Sequence, residues 1–425
     1  MLGNLFFMIF LFIGFAIANR LFKEGQLYII IGLGLLIRLY FALTTKGHPI
    51  DMADFKYWAS WAAKDFTHFY NTKVFTDYPP LYIYILFIIG KIVNFLNLGY
   101  NVIAQNFLIK LPSILADLIT TYMLFKLSIR YLSKKWGLVI VGIYILNPVI
   151  IFNSSIWGQI DSFFTMFIIL GILLLKDDNI IIASIVFTAA VLLKPQGIIF
   201  LPILLFELIR NRKIKTFVLS FIFALATFIL IILPFSFNQD LLWIFKLYIK
   251  TISEYPYASL NAFNLFSLLG GNWKGASEGI KFFGIQTIVT YKIMGYIFIT
   301  LITSFVAFLY IKGKTIALPG IGALILITGV FVLSSGMHER YMYPATALIL
   351  LVFILVKDIR YLMLYGAISI TGFFNTYIVY NLSQKNIFQV PQNDLILLLI
   401  SLLNVFILIY MVIISIDISI KTKNI

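Results

Sequence analysis

The sequence contains no cysteine, only three histidines and few charged residues, which make up 12% of the chain. Without cysteine a disulfide scaffold cannot form, and a structural or histidine-rich metal site is not expected. A disordered chain is excluded because such chains are polar and highly charged, whereas 61% of this sequence is hydrophobic. Soluble domains are about 45–50% apolar. The composition therefore excludes a soluble enzyme and predicts a helical membrane protein.

Long apolar runs recur from one end of the sequence to the other. A helix needs about 20 apolar residues to span the hydrocarbon of a bilayer. We therefore predict an all-α, polytopic fold in a single membrane domain over residues 1–425. The runs fall at 4–19, 26–44, 80–96, 105–127, 137–152, 160–176, 179–193, 196–209, 216–235, 286–311, 317–335, 342–357, 359–377 and 395–416.

The basic residues predict which loops face the cytoplasm. The chain has 32 Lys and Arg against 17 Asp and Glu, a net charge of +15, and many of the basic residues lie in short segments between apolar runs. By the positive-inside rule these segments are cytoplasmic. This placement explains the positive charge, so no nucleic-acid partner is expected. The segments contain Arg20, Lys23, Arg130, Lys134, Lys135, Lys176, Arg210, Arg212, Lys213, Lys215, Lys312, Lys314, Lys357, Arg360, Lys421 and Lys423.

One apolar run cannot cross the membrane if all basic segments share one side. Three runs lie between Lys23 and Arg130, where an even number of crossings is required. The run 80–96 starts at Pro80 and contains Lys91, so we predict an outer juxtamembrane or re-entrant helix there. About thirteen spans remain, with the N-terminus outside and the C-terminus inside. No basic residue precedes the first run, so a cleaved signal peptide is not expected.

The predicted outer segments are longer than the cytoplasmic ones and hold most of the acidic residues. They divide the chain into a first outer loop with its juxtamembrane helix at 45–104, core spans and loops at 105–345, and C-terminal spans at 346–425. We find no GxxxxGK[ST] phosphate loop and no inverted repeat, which disfavours ATP-driven chemistry and a carrier.

The first outer loop carries two polar motifs. Asp51 and Asp54 precede Trp58 just beyond the membrane, where a carboxylate can accept a proton from a hydroxyl group. Alternatively, Asp51 caps a helix in a solvated loop. In the segment DYPPLY at 77–82, Tyr78 belongs either to a binding site or only to the transition from a loop to a helix.

Two further motifs lie near predicted span ends. Trp157, Gln159 and Asp161 can stack on a sugar and hydrogen-bond it, or they belong to an interfacial aromatic belt. Lys194 lies between two apolar runs, where an unpaired cation is costly, so it either contacts a phosphate or snorkels to the interface.

The segment GMHERY at 336–341 brings an imidazole, a carboxylate and a guanidinium to another outer span mouth. His338 and Arg340 can bind a lipid phosphate, or they form an internal polar cluster with Glu339 that closes the loop. Arg38, inside the second run, is either an anion ligand or the buried partner of an acid such as Asp117.

As a set, these motifs resemble the GT-C glycosyltransferases that use polyprenyl-phosphate sugars. The sequence looks most like the predicted integral-membrane mannosyltransferases of prokaryotes, which are related to the GPI-anchor second mannosyltransferase. It is more distantly similar to the dolichyl-phosphate-glucose glucosyltransferases. The resemblance covers roughly residues 30–345 and implies a GT-C-type helical bundle. It rests on the Asp51–Trp58 spacing, DYPPL at 77–81, NSSIWGQIDSF at 153–163, LLKPQ at 192–196 and GMHERY at 336–341.

The resemblance implies an inverting hexosyltransferase that moves mannose or glucose from a polyprenyl phosphate to an extracytoplasmic glycan or glycolipid. Asp51, seven residues before Trp58, would be the catalytic base, with Asp54 as its rival. The donor phosphate would be bound by His338 and Arg340, with help from Lys194 or Arg38. The residues expected to bind sugar or acceptor are Trp58, Tyr78, Trp157, Gln159, Asp161, Glu339, Tyr257 and Asn261.

The glycosyltransferase hypothesis requires no cofactor beyond the lipid-linked sugar and no metal site. It leaves open whether a divalent ion assists the reaction. The expected partners are the bilayer, the donor and the glycan acceptor, in a prokaryotic plasma membrane with the site on the extracytoplasmic face. One alternative is a transporter or flippase of a lipid-linked sugar, which predicts charges deep in the spans. Another is a polysaccharide polymerase or ligase, which usually has several outer arginines, whereas only Arg340 is expected here.

Overall fold

A computed structural model describes residues 25–71, 75–237, 239–282 and 285–421. The predicted first span at 4–19, with the basic residues that follow it, lies outside the described residues. The helices are α1 Gln26–Thr44, α2 Pro49–Lys64, α3 Pro80–Phe95, α4 Val102–Tyr131, α5 Lys134–Ile145, α6 Pro148–Ile151, α7 Asp161–Lys176, α8 Ile180–Leu193, α9 Leu201–Asn211, α10 Ile214–Ile232, α11 Trp243–Glu254, α12 Leu265–Leu268, α13 Tyr291–Lys312, α14 Leu318–Leu333, α15 Pro344–Val356, α16 Ile359–Ser383 and α17 Leu395–Ile416.

The chain is an integral membrane protein with a mainly helical fold, as the composition predicted. Within the described ranges six helices are long and apolar enough to cross a bilayer, and a bent helix pair can supply a seventh. The prediction of about thirteen spans is therefore not supported. The six are Gln26–Thr44, Val102–Tyr131, Ile214–Phe235, Tyr291–Lys312, Ile359–Ser383 and Leu395–Ile420.

Several predicted spans are short because proline divides the apolar runs. The run 137–152 breaks at Asn147, whose side chain accepts a hydrogen bond from the Val149 amide, and Pro148 starts a second helix. Beyond that break the chain continues through the π-helical segment Phe152–Trp157, bent by 47° from α5. Proline has no amide proton and cannot continue a helix ladder, so hydropathy alone overestimates the helix lengths.

Burial distinguishes the central helices from the lipid-facing ones. In α14 and α15 almost every residue is buried, whereas in α10 only Ser220 is buried. A helix that is apolar on all sides belongs either inside a bundle or against lipid. The two short central helices therefore form the core of the bundle, and α10 presents its side chains to the hydrocarbon.

The segment predicted to be the first outer loop folds into the helix pair α2 and α3. Pro49 and Pro80 lie at the starts of the two helices. Proline lacks an amide proton, but in the first turn a helix has no hydrogen bond that would need it. The helices approach so closely that a Cβ at Gly90 would clash with the Ala59 carbonyl. At 16 residues, α3 is below the length of the spanning candidates.

Two small strand pairs complete the described structure. Strands β1 (Ser259–Leu260) and β4 (Met337–His338) pair in parallel, with Leu260 opposite His338. Strands β2 (Gly279–Phe282) and β3 (Ile285–Thr290) form an antiparallel hairpin before α13. The first pair is the important one for the site, because it fixes the backbone next to Glu339 and Arg340.

Candidate functional site

Asp51 lies at the centre of a cluster of polar residues from four separate parts of the chain. Its Oδ2 accepts hydrogen bonds from Trp157 Nε1 and Gln159 Nε2, each at 2.6 Å. Arg340 Nη2 lies 3.9 Å from the same oxygen. The structure thus brings together residues that are 106, 108 and 289 positions apart in the sequence, as the motif analysis predicted.

The electrostatics of this cluster keep Asp51 ionised. Burial alone would raise the pKa of its carboxyl group, but the Arg340 guanidinium outweighs this effect together with His48 and the two hydrogen bonds from Trp157 and Gln159. The pKa of Asp51 therefore lies well below its usual range.

The loop before α2 is held from several sides, which fixes where Asp51 points. The His48 amide donates to the Trp157 carbonyl at 2.9 Å, and the His48 ring stacks on the Trp157 indole at 4.6 Å. Lys110, which is buried, donates from Nζ to the Thr45 carbonyl at 2.7 Å. Gly47 adopts φ +83° within this loop, a conformation that favours glycine.

Tyr78, from the DYPPL motif, extends the network on one side. Its hydroxyl donates to Gln159 Oε1 at 3.0 Å, so Tyr78, Gln159 and Asp51 form a continuous chain of hydrogen bonds. Tyr78 is buried among aromatic rings. It fixes the orientation of the Gln159 amide and has little free surface for a ligand.

Asp161 and Lys194 form a buried ion pair beside Asp51. Their Oδ1 and Nζ atoms are in direct contact, and Asp161 Oδ2 accepts a hydrogen bond from Asn153 Nδ2 at 2.9 Å. Arg340 Nε lies 3.9 Å from the same Oδ2. Lys194 therefore has an acid partner, and neither snorkelling nor a phosphate is needed to explain its burial.

The GMHERY segment supplies the opposite wall. Arg340 Nη1 donates to Glu339 Oε1 at 2.5 Å, while the guanidinium lies 5.5 Å from the Trp157 ring centroid. The His338 ring is packed between the rings of Tyr255 and Tyr341, at 4.9 Å and 5.0 Å.

Neither histidine of the site is charged near neutral pH. Burial and the nearby Arg340 charge lower the pKa of His338 to about 3. Burial also lowers the pKa of His48. A neutral imidazole cannot neutralise a phosphate, so the charge-neutralising role predicted for His338 does not fit this environment.

Asp54 and Asp77 form an acidic rim around the cluster. Burial and the neighbouring Asp51 charge raise the pKa of Asp54 to about 6. Burial first, and then the charges of Asp51 and Asp54, raise the pKa of Asp77 to about 6, although Arg340 partly opposes them. The Tyr255 hydroxyl lies 3.4 Å from Asp77 Oδ2.

Three of the predicted site residues have structural roles. Trp58 is buried and its indole Nε1 donates to the Phe75 carbonyl at 2.8 Å, so it does not line the site. The Asn261 side chain binds the segment around Phe388 and Val390 in the C-terminal half. The Tyr257 ring packs on Trp273 at 5.1 Å. Each of these side chains therefore has a partner within the protein, and their predicted role in binding sugar or acceptor stays a prediction.

Arg38 belongs to a separate buried ion pair. Its Nε contacts Asp117 Oδ2 at 2.8 Å, and its Nη1 donates to the Ile145 carbonyl at 2.7 Å. Tyr343, three residues after Arg340, donates to Asp117 Oδ1 at 3.2 Å. Of the two readings of Arg38, the structure supports the buried partner of Asp117 and not the phosphate ligand.

Sequence reasoning missed His48, Asn153, Asp77, Tyr255 and Tyr341 as parts of the site. Asp77 directly precedes Tyr78 in a motif already singled out, so its carboxylate was a usable signal. Asn153 opens the NSSIWGQIDSF motif in the same way. Nothing in the sequence alone indicated the contacts of Tyr255, which come from the β1–β4 pairing.

A narrow hollow lies under Arg340, between α15 and α16. Its volume is about 10 Å³, which is about the space that one water molecule needs. One end is polar, with Asn153, Glu339 and Arg340, and the rest is mainly apolar. Among the described residues, no group of three His, Asp or Glu side chains is arranged to hold a metal ion.

The sequence matches the family model of the GPI transamidase subunit PIG-U over residues 59–256, somewhat less than half of the chain. No curated protein matches the sequence. The matched segment contains Tyr78, Trp157, Gln159, Asp161 and Lys194 from the site. Asp51 and the GMHERY segment lie outside it.

This match corrects the function inferred from the motifs. GPI transamidase attaches proteins to GPI anchors, and its PIG-U subunit is neither a sugar transferase nor a flippase. The predicted membership in the polyprenyl-phosphate-dependent glycosyltransferases was wrong, and so were the hexosyltransferase activity and the alternative of a lipid-linked-sugar flippase. Several motif residues lie together in the structure, but the motifs did not identify the function. What the chain resembles over residues 59–256 is a subunit of a membrane-embedded transamidase.

Proposed function

We propose that this chain is a membrane-embedded subunit of a transamidase-type assembly. Its role there is to hold the head group of a lipid-borne substrate at the Asp51–Arg340 site. The observation that carries the proposal is the match to a GPI transamidase subunit across residues 59–256. That segment includes Trp157 and Gln159, the two residues that hydrogen-bond Asp51.

The side chains of the site favour a binding role over a nucleophilic one. Transamidation through a covalent intermediate needs an activated nucleophile. The sequence has no cysteine. Within the described residues His338 faces Tyr255, Tyr341 and Glu339, and no serine hydroxyl is within hydrogen-bond distance of its ring. The nucleophile is therefore expected from another subunit.

Helix directions support a site on the side opposite the basic loops. Helix α7 starts at Asp161, in the site, and ends about 24 Å away at Lys176. Helix α15 starts just after Arg340 and is followed by Lys357. By the positive-inside rule the basic ends are cytoplasmic, so the proposed site opens to the extracytoplasmic face. We retain the prokaryotic plasma membrane as its proposed location.

Purification of the tagged protein from its native membrane tests the subunit role. We expect a stoichiometric partner that carries a peptidase-type nucleophile, identified by mass spectrometry. Deleting the gene should release proteins that are normally held in the membrane by a lipid at their C-terminus. A protein that purifies alone, from cells whose lipid-anchored proteins survive the deletion unchanged, would overturn the proposal.

Complementation of the deletion with site variants links this role to the site. Asp51→Asn should fail to restore lipid anchoring, because it removes the charge at the centre of the cluster. Asp65→Asn is the matched control: it removes the same charge just after the other end of α2, where the carboxylate is half-exposed. Both variants must be present in the membrane at normal amounts for the comparison to count.

A further inference from the structure

Two buried polar atoms beneath the cluster lack a hydrogen-bond partner among the described residues. Asn153 is 1% exposed, and its Oδ1 accepts no hydrogen bond from them. Arg340 Nε is also buried and donates to none of them. It lies 3.9 Å from Asp161 Oδ2, which is beyond hydrogen-bond distance. Buried polar atoms in proteins are nearly always hydrogen-bonded, so these two atoms require an explanation.

The missing partner of Asn153 does not result from a reversed amide group. Its Nδ2 donates to Asp161 Oδ2 at 2.9 Å, and the Asp161 carboxylate contacts the Lys194 ammonium directly. An ionised carboxylate only accepts hydrogen bonds, so the amide nitrogen must face it. Exchanging the nitrogen and oxygen of the amide would oppose two acceptors. Oδ1 is therefore the atom of Asn153 that needs a donor.

Both atoms belong to residues that line the same hollow. Asn153 and Arg340 lie at its polar end, together with Glu339. The hollow has a volume of about 10 Å³, about the space that one water molecule needs. A donor and an acceptor without partners thus lie beside a space of molecular size that is enclosed on several sides.

The chemistry of the lining favours a small uncharged ligand that both donates and accepts. A metal cation in the hollow would face the Arg340 guanidinium. An anion would face the oxygens of Asn153 and Glu339. An apolar group would leave Arg340 Nε and Asn153 Oδ1 without partners, which is costly for buried polar atoms. Water has two donors and two acceptor positions, and its size matches the hollow.

We infer that one ordered water molecule binds beneath Arg340, where it accepts a hydrogen bond from Arg340 Nε and donates one to Asn153 Oδ1. Its second proton faces further acceptors in the lining. Glu339 offers carboxylate oxygens, and the Thr346 hydroxyl, which donates to the Tyr343 carbonyl, can still accept. The water links Arg340 to Asn153 and through it to Asp161. The inference goes beyond the proposed function and does not depend on it.

Hydroxyl-radical footprinting of the purified, full-length protein tests the inference. An X-ray pulse converts a bound water into radicals, which oxidise the side chains that contact it. Met342 lines the hollow and is only 4% exposed. Met411 is fully buried elsewhere in the core and serves as the reference. Mass spectrometry should show Met342 oxidised faster than Met411. Oxidation of both at the same background rate would overturn the inference.

Gly372→Ala should remove the water without touching its polar partners. Gly372 lines the hollow, and a Cβ there would meet only Val149 Cγ2, at 3.4 Å, outside its own helix. The added methyl group therefore takes up space that the water needs. We expect the oxidation rate of Met342 to fall to that of Met411. Unchanged oxidation of Met342 in this variant would show that its radicals come from bulk solvent, and the inference would fail.

Gly366→Ala is the matched control in the same helix. A Cβ at Gly366 would meet nothing within 4 Å outside that helix, and Gly366 does not line the hollow. Met342 should be oxidised as in the unmodified protein. Alanine is favoured over glycine in a helix, so the melting temperature should rise in Gly366→Ala. Gly372→Ala should show no such rise, because it leaves two buried polar atoms unpaired. An equal rise in both variants would contradict the bound water.

Asn153→Leu assigns the acceptor of the water. It removes Oδ1 and should lower the oxidation of Met342, while Thr376→Val should leave it unchanged. Thr376 also lines the hollow, but its hydroxyl already donates to the Gly372 carbonyl. Asn153 also donates to Asp161, so Asn153→Leu can disturb folding, and Gly372→Ala then keeps the test decisive. Unchanged oxidation of Met342 in folded Asn153→Leu would remove Asn153 as the acceptor.

Discussion

The protein contains two groups of buried charges that differ in their balance. Inside the bundle, one cation, Arg38, pairs with one acid, Asp117. Arg38 also donates to the Ile145 carbonyl, and Asp117 accepts from the Tyr343 hydroxyl. At the Asp51–Arg340 cluster, whose proposed location is the outer face of the membrane, Lys194 and Arg340 are outnumbered by carboxylates. A balanced pair is what a folded membrane protein needs for its own stability. An unbalanced cluster is costly to bury, which makes it a candidate binding site.

The two groups are nevertheless connected. Tyr343 donates to Asp117 and lies on the chain just after Arg340, and its hydroxyl is also 2.7 Å from the Ser162 hydroxyl. Ser162 in turn follows Asp161 of the outer cluster. The inner pair therefore supports the floor of the site without facing its ligand. Variants can separate these two roles.

The largest effect is expected from Arg38→Met. The substitution leaves Asp117 buried without its counter-charge, and breaking a buried ion pair in this way costs about 3–5 kcal/mol. The free energy of unfolding in detergent, from a denaturant titration, measures the loss. Protein that remains folded should still restore lipid anchoring in the deletion strain, because Arg38 does not contact the outer cluster.

A double variant provides the control for this prediction. Arg38→Met combined with Asp117→Leu removes both charges, and replacing a whole buried pair with apolar residues is often close to neutral for stability. Most of the lost stability should therefore return. If the double variant is as unstable as Arg38→Met, the pair is not acting as a simple counter-charge and the comparison between the two groups fails.

The sequence predicted the membrane class and the convergence of several motifs, because both depend on patterns that are visible locally. Apolar runs and basic loops placed Asp51, Trp157 and Arg340 near the ends of predicted elements on one side of the membrane. The structure brings these residues together, although they lie far apart in the sequence. The motif set was therefore a good guide to where the site lies.

The roles of individual side chains could not be predicted in the same way. Trp58 and Asn261 have the residue types of a sugar site, but their hydrogen-bonding groups are used on the Phe75 and Phe388 carbonyls. Lys194 looked unpaired because Asp161 is 33 residues earlier in the chain. Such partnerships arise from tertiary packing. The function assigned from the motifs was wrong because it rested on a resemblance, and a fold can host unrelated functions.

Gln159→Leu should have the second-largest effect, and it acts on the cluster around Asp51 and Arg340. It removes one of the two hydrogen-bond donors to Asp51 and the acceptor of the Tyr78 hydroxyl. Leaving buried polar groups unpaired costs about 1–3 kcal/mol. The unfolding free energy and the restoration of lipid anchoring in the deletion strain should both fall. Gln392→Leu is the matched control, since Gln392 is exposed and its side chain donates to the Asn272 carbonyl. Equal losses in the two variants would show that Gln159 has no special role.

His338→Phe should change how stability depends on pH. The pKa of His338 is about 3 in the folded protein, whereas an unfolded histidine has a pKa of about 6.5. Between these two pKa values the unfolded state binds a proton at His338 that the folded state does not bind. The free energy of unfolding therefore decreases as the pH falls below 6.5, by at most about 1.4 kcal/mol per pH unit. Phenylalanine keeps the ring contacts with Tyr255 and Tyr341 but does not titrate. The melting temperatures measured at pH 7.5, 6.5 and 5.5 should decrease less for the variant than for the unmodified protein. An equal decrease in both proteins would contradict a neutral His338 imidazole.

The smallest effect is expected from Asp65→Asn, which tests whether buried imbalance, and not acidity itself, matters. Asp65 pairs with His68 at 2.9 Å, and both side chains are 45% exposed. Water screens such a pair, and exposed ion pairs contribute little to stability. The melting temperature and the restoration of lipid anchoring should both match those of the unmodified protein. If Asp65→Asn restored lipid anchoring as poorly as Asp51→Asn, negative charge in general would matter, and the carboxylates around Arg340 would lose their assigned role.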